Sequence, residues 1–425
     1  MRLTDDEREM LDGLQGEAIQ QAMSLLVRYA EVLGAEEFVD TDNVCGANIA
    51  SPGQLQVCGD STPQAVFSEF SLDSQRPVEV PPVRAQSYQL IAPMDSVNWE
   101  VQGLSSEAHD AISASESYSA RHGIHLMNTC TPYQVGNVPV RGEHCAWMES
   151  SAVVYINSVL GARTNVEGRE STAAAMLTGK IPDWGLHRAE NRYGTHLVRL
   201  EYPVETSFDW GILGYYTGAV VEDGIPVFEG VKAQPSLERL KHFGAAAASS
   251  GDTEMYHIPG ITAEAHTTEQ AFGPSGPASI SKFGPAERQS TYERLNATAR
   301  DSDVDLVMIG CPHATLGQIR DVCRLLADRH VHSDTCLWVF TPRAIRDVAV
   351  ANGYAHTLEE AGARLMSDTC PAIGRFLPKG ARVIATDSAK QAHYLPAIMS
   401  VQGWFGTLEQ CVEAAISGKW QGGLS

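Results

Sequence analysis

Val304-Asp-Leu-Val-Met-Ile-Gly-Cys-Pro-His313 runs from an unbroken apolar stretch straight into a Gly-Cys-Pro turn. The largely apolar Val304-Asp-Leu-Val-Met-Ile309 predicts a buried strand, which Gly310 ends. Leu316 to Leu326 follows at helical spacing. Cys336-Leu-Trp-Val-Phe340 repeats the strand, with Pro342 opening the next helix, and Arg382-Val-Ile-Ala385 repeats it again before another helix. Strand and helix in alternation predict a parallel sheet with crossover helices, whose sites lie at the carboxyl ends of the strands. Cys311 stands at such an end, and Cys370, in the loop before Ile373, is expected at another. The expected fold class is α/β, in several modules. A parallel C-terminal unit is expected over 301–425, and N-terminal and central α/β modules over 1–300.

Towards the N-terminus the pattern is less regular. Residues 195–235 alternate in a way that predicts antiparallel strands and hairpins inserted into the central module, and 271–287, rich in Gly and Pro, reads as a loop. Residues 145–161 predict an apolar helix stopped by Gly161, with Glu149, Ser150, Ser151 and Asn157 as polar groups that need partners. Residues 105–122 and 170–180 predict helices, and Ile124 to Met127 a short strand leading to Cys130. Thr4, followed by Asp5, Asp6 and Glu7, predicts a helix start, and Gly34 the stop of the helical stretch after it.

Three of the nine cysteines open tight loops: Cys130 in Asn-Thr-Cys-Thr-Pro-Tyr, Cys311 in Gly-Cys-Pro-His, and Cys370 in Asp-Thr-Cys-Pro. A proline just beyond a cysteine suits neither a helix interior nor a ladder. It does suit a loop that aims a thiolate outward, as an iron–sulfur cluster requires, and three ligands leave one iron open for chemistry. The alternative is three buried structural thiols. No cysteine belongs to a CxxC pair, so a closed zinc site is not expected, and no HExxH is present to suggest a zinc hydrolase. Cys45, in Asn-Val-Cys-Gly, is the reserve ligand; Cys58, Cys145, Cys323, Cys336 and Cys411 read as core or helix positions.

The chain has 425 residues, 43% apolar and 20% charged, the balance of a soluble globular enzyme. A net charge of −21 argues against nucleic-acid and anionic-membrane partners. An acidic start without an apolar core excludes a signal peptide, no apolar run reaches membrane-spanning length, and scattered odd-numbered cysteines suit a reducing compartment. The expected location is the cytoplasm.

Taken together and in order, Thr129-Cys-Thr-Pro-Tyr133, Gly142-Glu-His144, Glu149-Ser-Ser-Ala-Val-Val-Tyr155, Asn157-Ser-Val-Leu-Gly-Ala-Arg-Thr-Asn165, Gly310-Cys-Pro-His313, Asp368-Thr-Cys370 and Asp387-Ser-Ala-Lys390 resemble the catalytic large subunit of the aconitase X family. The resemblance spans essentially the whole chain. It implies an iron–sulfur hydro-lyase related to aconitase, with cis-3-hydroxy-L-proline or mevalonate 5-phosphate as substrate; the former ranks first because the motif loops offer only Arg163, Lys282 and Lys390 to a dianion. It also implies a small swivelling-domain subunit as partner, the source of the catalytic base, so no base is assigned within this chain. A non-enzymatic iron–sulfur sensor is the alternative of another class.

With that chemistry in view, Cys130, Cys311 and Cys370 are the expected cluster ligands, of unknown nuclearity; His313 is a ligand, a plain loop residue or, by preference, a group tuning their sulfurs. Glu149 is either a surface carboxylate or a pocket group; Ser150 and Ser151 either face the pocket or cap carbonyls. Arg163 with Thr164 and Asn165 suits a substrate carboxylate, the alternative being a structural salt bridge. Glu149 or Glu167 would take a substrate ammonium. Lys282 and Lys390 are anion-binding candidates, and the remaining lysines are expected on the surface.

Overall fold

The structure, a computed structural model, describes residues 1–47 and 62–424. Along the chain the strands are β1 (Phe38–Asp40), β2 (Asn43–Ala47), β3 (Gln86–Gln89), β4 (Ile124–His125), β5 (Ala146–Trp147), β6 (Lys180–Pro182), β7 (His196–Leu200), β8 (Pro226–Glu229), β9 (Ser279–Phe283), β10 (Leu306–Ile309), β11 (Cys336–Thr341), β12 (Arg364–Ser367), β13 (Val383–Thr386) and β14 (Gln402–Phe405). Cys58 and residues 48–51 of the strand and turn that the sequence predicts over Phe38 to Ser51 lie outside the described residues. No helix among the described residues is long and apolar enough to cross a membrane.

The C-terminal unit is a parallel sheet in the order β12–β11–β10–β13–β14, with crossover helices such as Leu316–Leu326 between the strands. Its two faces feed different cores, as the period of two along a strand requires. Val307, Ile309, Leu337 and Val339 face the outer helices. Leu306, Met308, Trp338, Phe340 and Ile384 face the opposite core, which also holds Cys130, Cys311 and Cys370.

Near the N-terminus, Thr4 accepts from the Glu7 N–H while the Glu7 carboxylate takes the Thr4 N–H, closing a capping box. The next helix, Glu17–Leu33, ends at Gly34, whose φ of +72° few side chains tolerate. It packs on the helix Arg169–Thr178 through Ala18, Ala22, Leu25 and Leu26 against Ala174, Ala175 and Leu177. Beneath them lies a parallel sheet in the order β4–β3–β2–β5, with β1 and β6 as a separate antiparallel pair.

The central stretch differs from expectation. β7, β8 and β9 form a parallel three-stranded sheet, so the antiparallel insertion expected over 195–235 is wrong. Between β7 and β8 the chain crosses over in the helix Ser207–Val221. That helix is buried on nearly every side, so its sequence shows no apolar stripe and conceals its period. It crosses the helix Leu237–Gly251 so closely that a Cβ on Gly214 would stand 2.3 Å from Phe243 O. The loop expected at 271–287 contains β9, an exposed edge strand, and Pro285 at the start of the helix Pro285–Leu295. The helix expected over 145–161 begins only after β5, as Ser150–Tyr155, and continues as a wider π turn, Ile156–Leu160, to Gly161.

Candidate active site

Cys311 follows β10, Cys370 follows β12, and Cys130 follows β4, each in the loop at the carboxyl end of its strand. All three thiols are buried, at 7–8% exposure, in one apolar core. Hydrogen-bond donors meet their sulfurs. The His313 N–H donates to Cys130 Sγ at 3.3 Å, the Ala372 and Ile373 N–H groups serve Cys370, and the Ser388 and Gln391 side chains serve Cys311. Burial pushes the thiols up, Cys370 to about 12. Among the described residues no three His, Cys, Asp or Glu side chains close on one point as ligands of a single ion do. A polynuclear cluster puts its thiolates on different irons and needs them further apart, and these three are the residues that could hold one.

His313 ties the loops together. Its Nε2 lies 3.1 Å from Thr369 O and so carries the hydrogen, leaving Nδ1 to accept from Thr129 Oγ1 at 2.9 Å. The ring thus bridges the residues preceding Cys370 and Cys130, while its backbone, not its imidazole, faces a sulfur. Behind it, Lys241 is 1% exposed, a correction to the expectation that the unassigned lysines lie on the surface. Its Nζ donates to Gln318 Oε1 at 2.7 Å, His313 O at 2.9 Å and Pro312 O at 3.3 Å. Burial pulls this ammonium below its ordinary value. Its only sequence signal was a lysine among Leu240, Phe243 and Ala246, the buried face of its helix.

Beside the thiols lies one ion pair. Glu149 precedes the helix Ser150–Tyr155, and Lys390 opens the helix Ala389–Met399 after β13. The Lys390 ammonium donates to Glu149 Oε1, and Ser151 Oγ donates to the same oxygen at 2.8 Å. Each charged side chain is 16% exposed. Burial works against both charges, yet each holds the other ionised: Glu149 sits below the usual carboxylate value and Lys390 well above the usual amine value. Both groups act electrostatically on Cys130 and Cys311. Cys45, buried at β2, also feels Glu149. An apolar cavity of about 370 Å³ adjoins these loops, lined by Tyr133, Gln134, Tyr155, Lys241 and Thr315.

Other expected site residues are placed elsewhere. Lys282 is on β9, 63% exposed and 3.6 Å from Glu201. Thr164 takes the Trp147 N–H at 3.1 Å and donates to Asn165 O at 2.8 Å. Asn165 accepts from the Leu186 N–H at 2.8 Å and donates to Trp184 O at 3.2 Å. Arg163 donates to His187 O at 2.9 Å and lines a separate cavity. Ser150 opens the helix beside Glu149, and Glu167 is buried near Glu254.

Comparison with known proteins accounts for the order of these loops. Family models described as the first, second and third domains of aconitase X match residues 1–190, 194–293 and 304–417. The chain belongs to the aconitase X family. It is 38% identical to the phosphomevalonate dehydratase large subunit of Methanothermobacter thermautotrophicus, over 92% of this chain and 93% of that one. To the protein of the same name from Methanocaldococcus jannaschii it is 34% identical, over 97% and 100%. It is 32% identical to the cis-3-hydroxy-L-proline dehydratase of Pseudomonas aeruginosa, over all of this chain and 71% of that protein. The crystal structure of Thermococcus kodakaraensis aconitase X in its holo-form superposes with a TM-score of 0.82 at 29% identity, covering 98% of this chain and all of that one. The aconitase X chain described here is a dehydratase, a hydro-lyase, and the sensor alternative falls.

Proposed function

We propose that this chain is the large subunit of a two-chain dehydratase acting on a small β-hydroxy acid, cis-3-hydroxy-L-proline, to give Δ1-pyrroline-2-carboxylate. The observation carrying this reading is the Glu149–Lys390 pair beside three buried thiols. A cyclic amino acid carries one carboxylate and one ammonium, and the pair offers one partner for each. Lys390 takes the place first expected of Arg163. The three thiols, each met by N–H or O–H donors, fit a cluster held by Cys130, Cys311 and Cys370. When bound, such a cluster supplies a Lewis-acidic iron that draws charge from the departing hydroxyl.

The chain's own residues bind and orient. Lys390 holds the substrate carboxylate and Glu149 its ammonium, fixing the α-carbon beside the thiols. Lys241 and His313 keep the thiol loops in register, and the surrounding apolar core excludes water. The α-proton passes to a base on the small subunit, and the hydroxyl leaves as water. The resulting enamine tautomerises to the cyclic imine.

A second reading, mevalonate 5-phosphate as substrate, draws on the two relatives named phosphomevalonate dehydratase large subunit, which this chain matches over 93% and 100% of their length. Anaerobic reconstitution with iron, sulfide and a small subunit, followed by each substrate in turn, separates the two. Hydroxyproline turnover to an imine that a carbonyl reagent captures is expected; turnover of the phosphorylated acid alone would replace this substrate by the other.

A further inference from the structure

A cavity of about 220 Å³, distinct from the thiol loops, is lined by Arg141, Arg163, Arg192, His257 and Glu264 among other residues. Its one carboxylate is already matched: Arg192 Nε lies 2.9 and 3.0 Å from the two oxygens of Glu264. The other nitrogens of Arg192 donate to Leu186 O, Asn157 O and Ala162 O. Two guanidinium groups remain without an anion among the described residues. Arg163 spends one nitrogen on His187 O at 2.9 Å, and its Nε is buried without a partner. Arg141 is exposed, with no hydrogen bond or ion pair to any described residue. In a chain of net charge −21, two such groups at one cavity mark a place for a dianion.

His257 adds a second requirement. It is 2% exposed, and its Nε2 lies 2.8 Å from Arg192 O, so Nε2 carries the hydrogen. Nδ1 is then an acceptor, buried without a partner among the described residues, and a ligand that satisfies it must donate. We propose that this cavity binds a small phosphate monoester bearing a free hydroxyl. Arg141 and Arg163 hold the phosphate, and His257 Nδ1 accepts from the hydroxyl.

The reacting substrate cannot reach both places. Glu149 and Gly161 stand at opposite ends of the helix and its π continuation, of which the α-helical part alone rises about 9 Å. The two places are mechanically joined, since the Cys145 N–H donates to Arg163 O at 2.8 Å and the Arg163 N–H to Glu143 O at 2.8 Å, four to six residues before Glu149. A ligand gripped by Arg163 therefore bears on the strand that delivers Glu149, as an effector would.

Titration calorimetry of the full chain at low ionic strength tests this with inorganic phosphate and with glycerol 3-phosphate as probes. Both are expected to bind, glycerol 3-phosphate more tightly because it also donates a hydroxyl. Arg141→Gln, at an exposed and unpartnered side chain, is expected to fold and to weaken both probes about tenfold or more. Glu149→Gln is expected to retain wild-type affinity. Absence of binding at millimolar probe, equal affinity in Arg141→Gln, or affinity lost in Glu149→Gln and kept in Arg141→Gln would each overturn the proposal. Equal affinity for the two probes would overturn the role of His257.

Discussion

At Lys390 the charge of one side chain decides the state of another. Replacing it with Met strands the Glu149 carboxylate in a largely dehydrated place, at a cost of about 3 kcal/mol. We expect Lys390→Met to lower the urea midpoint accordingly and to reduce kcat/KM by about a hundredfold or more, since the substrate carboxylate loses its cation. Adding Glu149→Gln to that variant is expected to recover part of the stability and none of the activity. Near-normal turnover by a folded Lys390→Met protein would remove Lys390 from substrate binding. Glu167 offers the opposite case, a buried carboxyl with no cation paired to it among the described residues, pushed by burial from 4.5 to about 7. Between those two values the folded chain keeps a proton that the unfolded chain releases, so this residue's contribution is full below pH 4.5 and is lost as pH rises through 7. Across that window the loss comes to about 3 kcal/mol. The stability of Glu167→Gln relative to the parent is therefore expected to rise by that order between pH 4.5 and 7.5. Parallel pH profiles from denaturant titrations would show that Glu167 ionises normally.

Among elements, the helix Leu237–Gly251 carries the support of the thiol loops. Lys241→Met would remove the donor from Pro312 O, while His313 O keeps Gln134 Nε2 and Gln318 Oε1 keeps the Thr315 N–H, at a cost of about 2 kcal/mol. It is expected to lower Tm and the iron retained per chain after reconstitution. Lys282→Met, on the exposed edge strand, is expected to change neither beyond about 0.5 kcal/mol. Iron content equal to the parent's in Lys241→Met would separate this lysine from the cysteine loops. The contrast also shows what sequence can reveal about elements. β10, β11 and β13 were legible because buried parallel strands are apolar throughout and the helices between them are amphipathic, whereas the edge strands β12 and β14, with polar residues in them, were not. The middle was not, because Ser207–Val221 is buried all round and β9 is an exposed edge, so neither displays the period of its own structure. Lys241 was hidden for a related reason: its three acceptors come from residues more than seventy positions away, and local spacing carries no trace of them.

For the whole molecule, the placement of Cys130, Cys311 and Cys370 in loops after strands was legible because each loop is a local motif, whereas pairing Glu149 with Lys390 requires two parts of the chain 241 residues apart to meet. Arg163 had the right chemistry for a carboxylate but ends across a helix length from that pair, which spacing alone could not reveal. What the assembled site offers is binding: a cation, a carboxylate held ionised by that cation, and thiols in an apolar core. A base for the α-proton must be basic enough to take it, and Lys390 holds the Glu149 carboxyl below its usual value. Relatives named as large subunits imply that a second chain completes them. We therefore expect the reconstituted large chain alone to bind substrate, seen as a change in the cluster's electron paramagnetic resonance spectrum, without turning it over. Addition of the small subunit is expected to restore dehydration by about a hundredfold or more, the usual worth of a positioned base. Without that chain, substrate deuterated at the α-carbon should retain its label in water; with it, the label should be lost as product forms. Full turnover by the large chain alone would place the base within its own residues, and wash-out of the label without the partner would identify proton abstraction as its work.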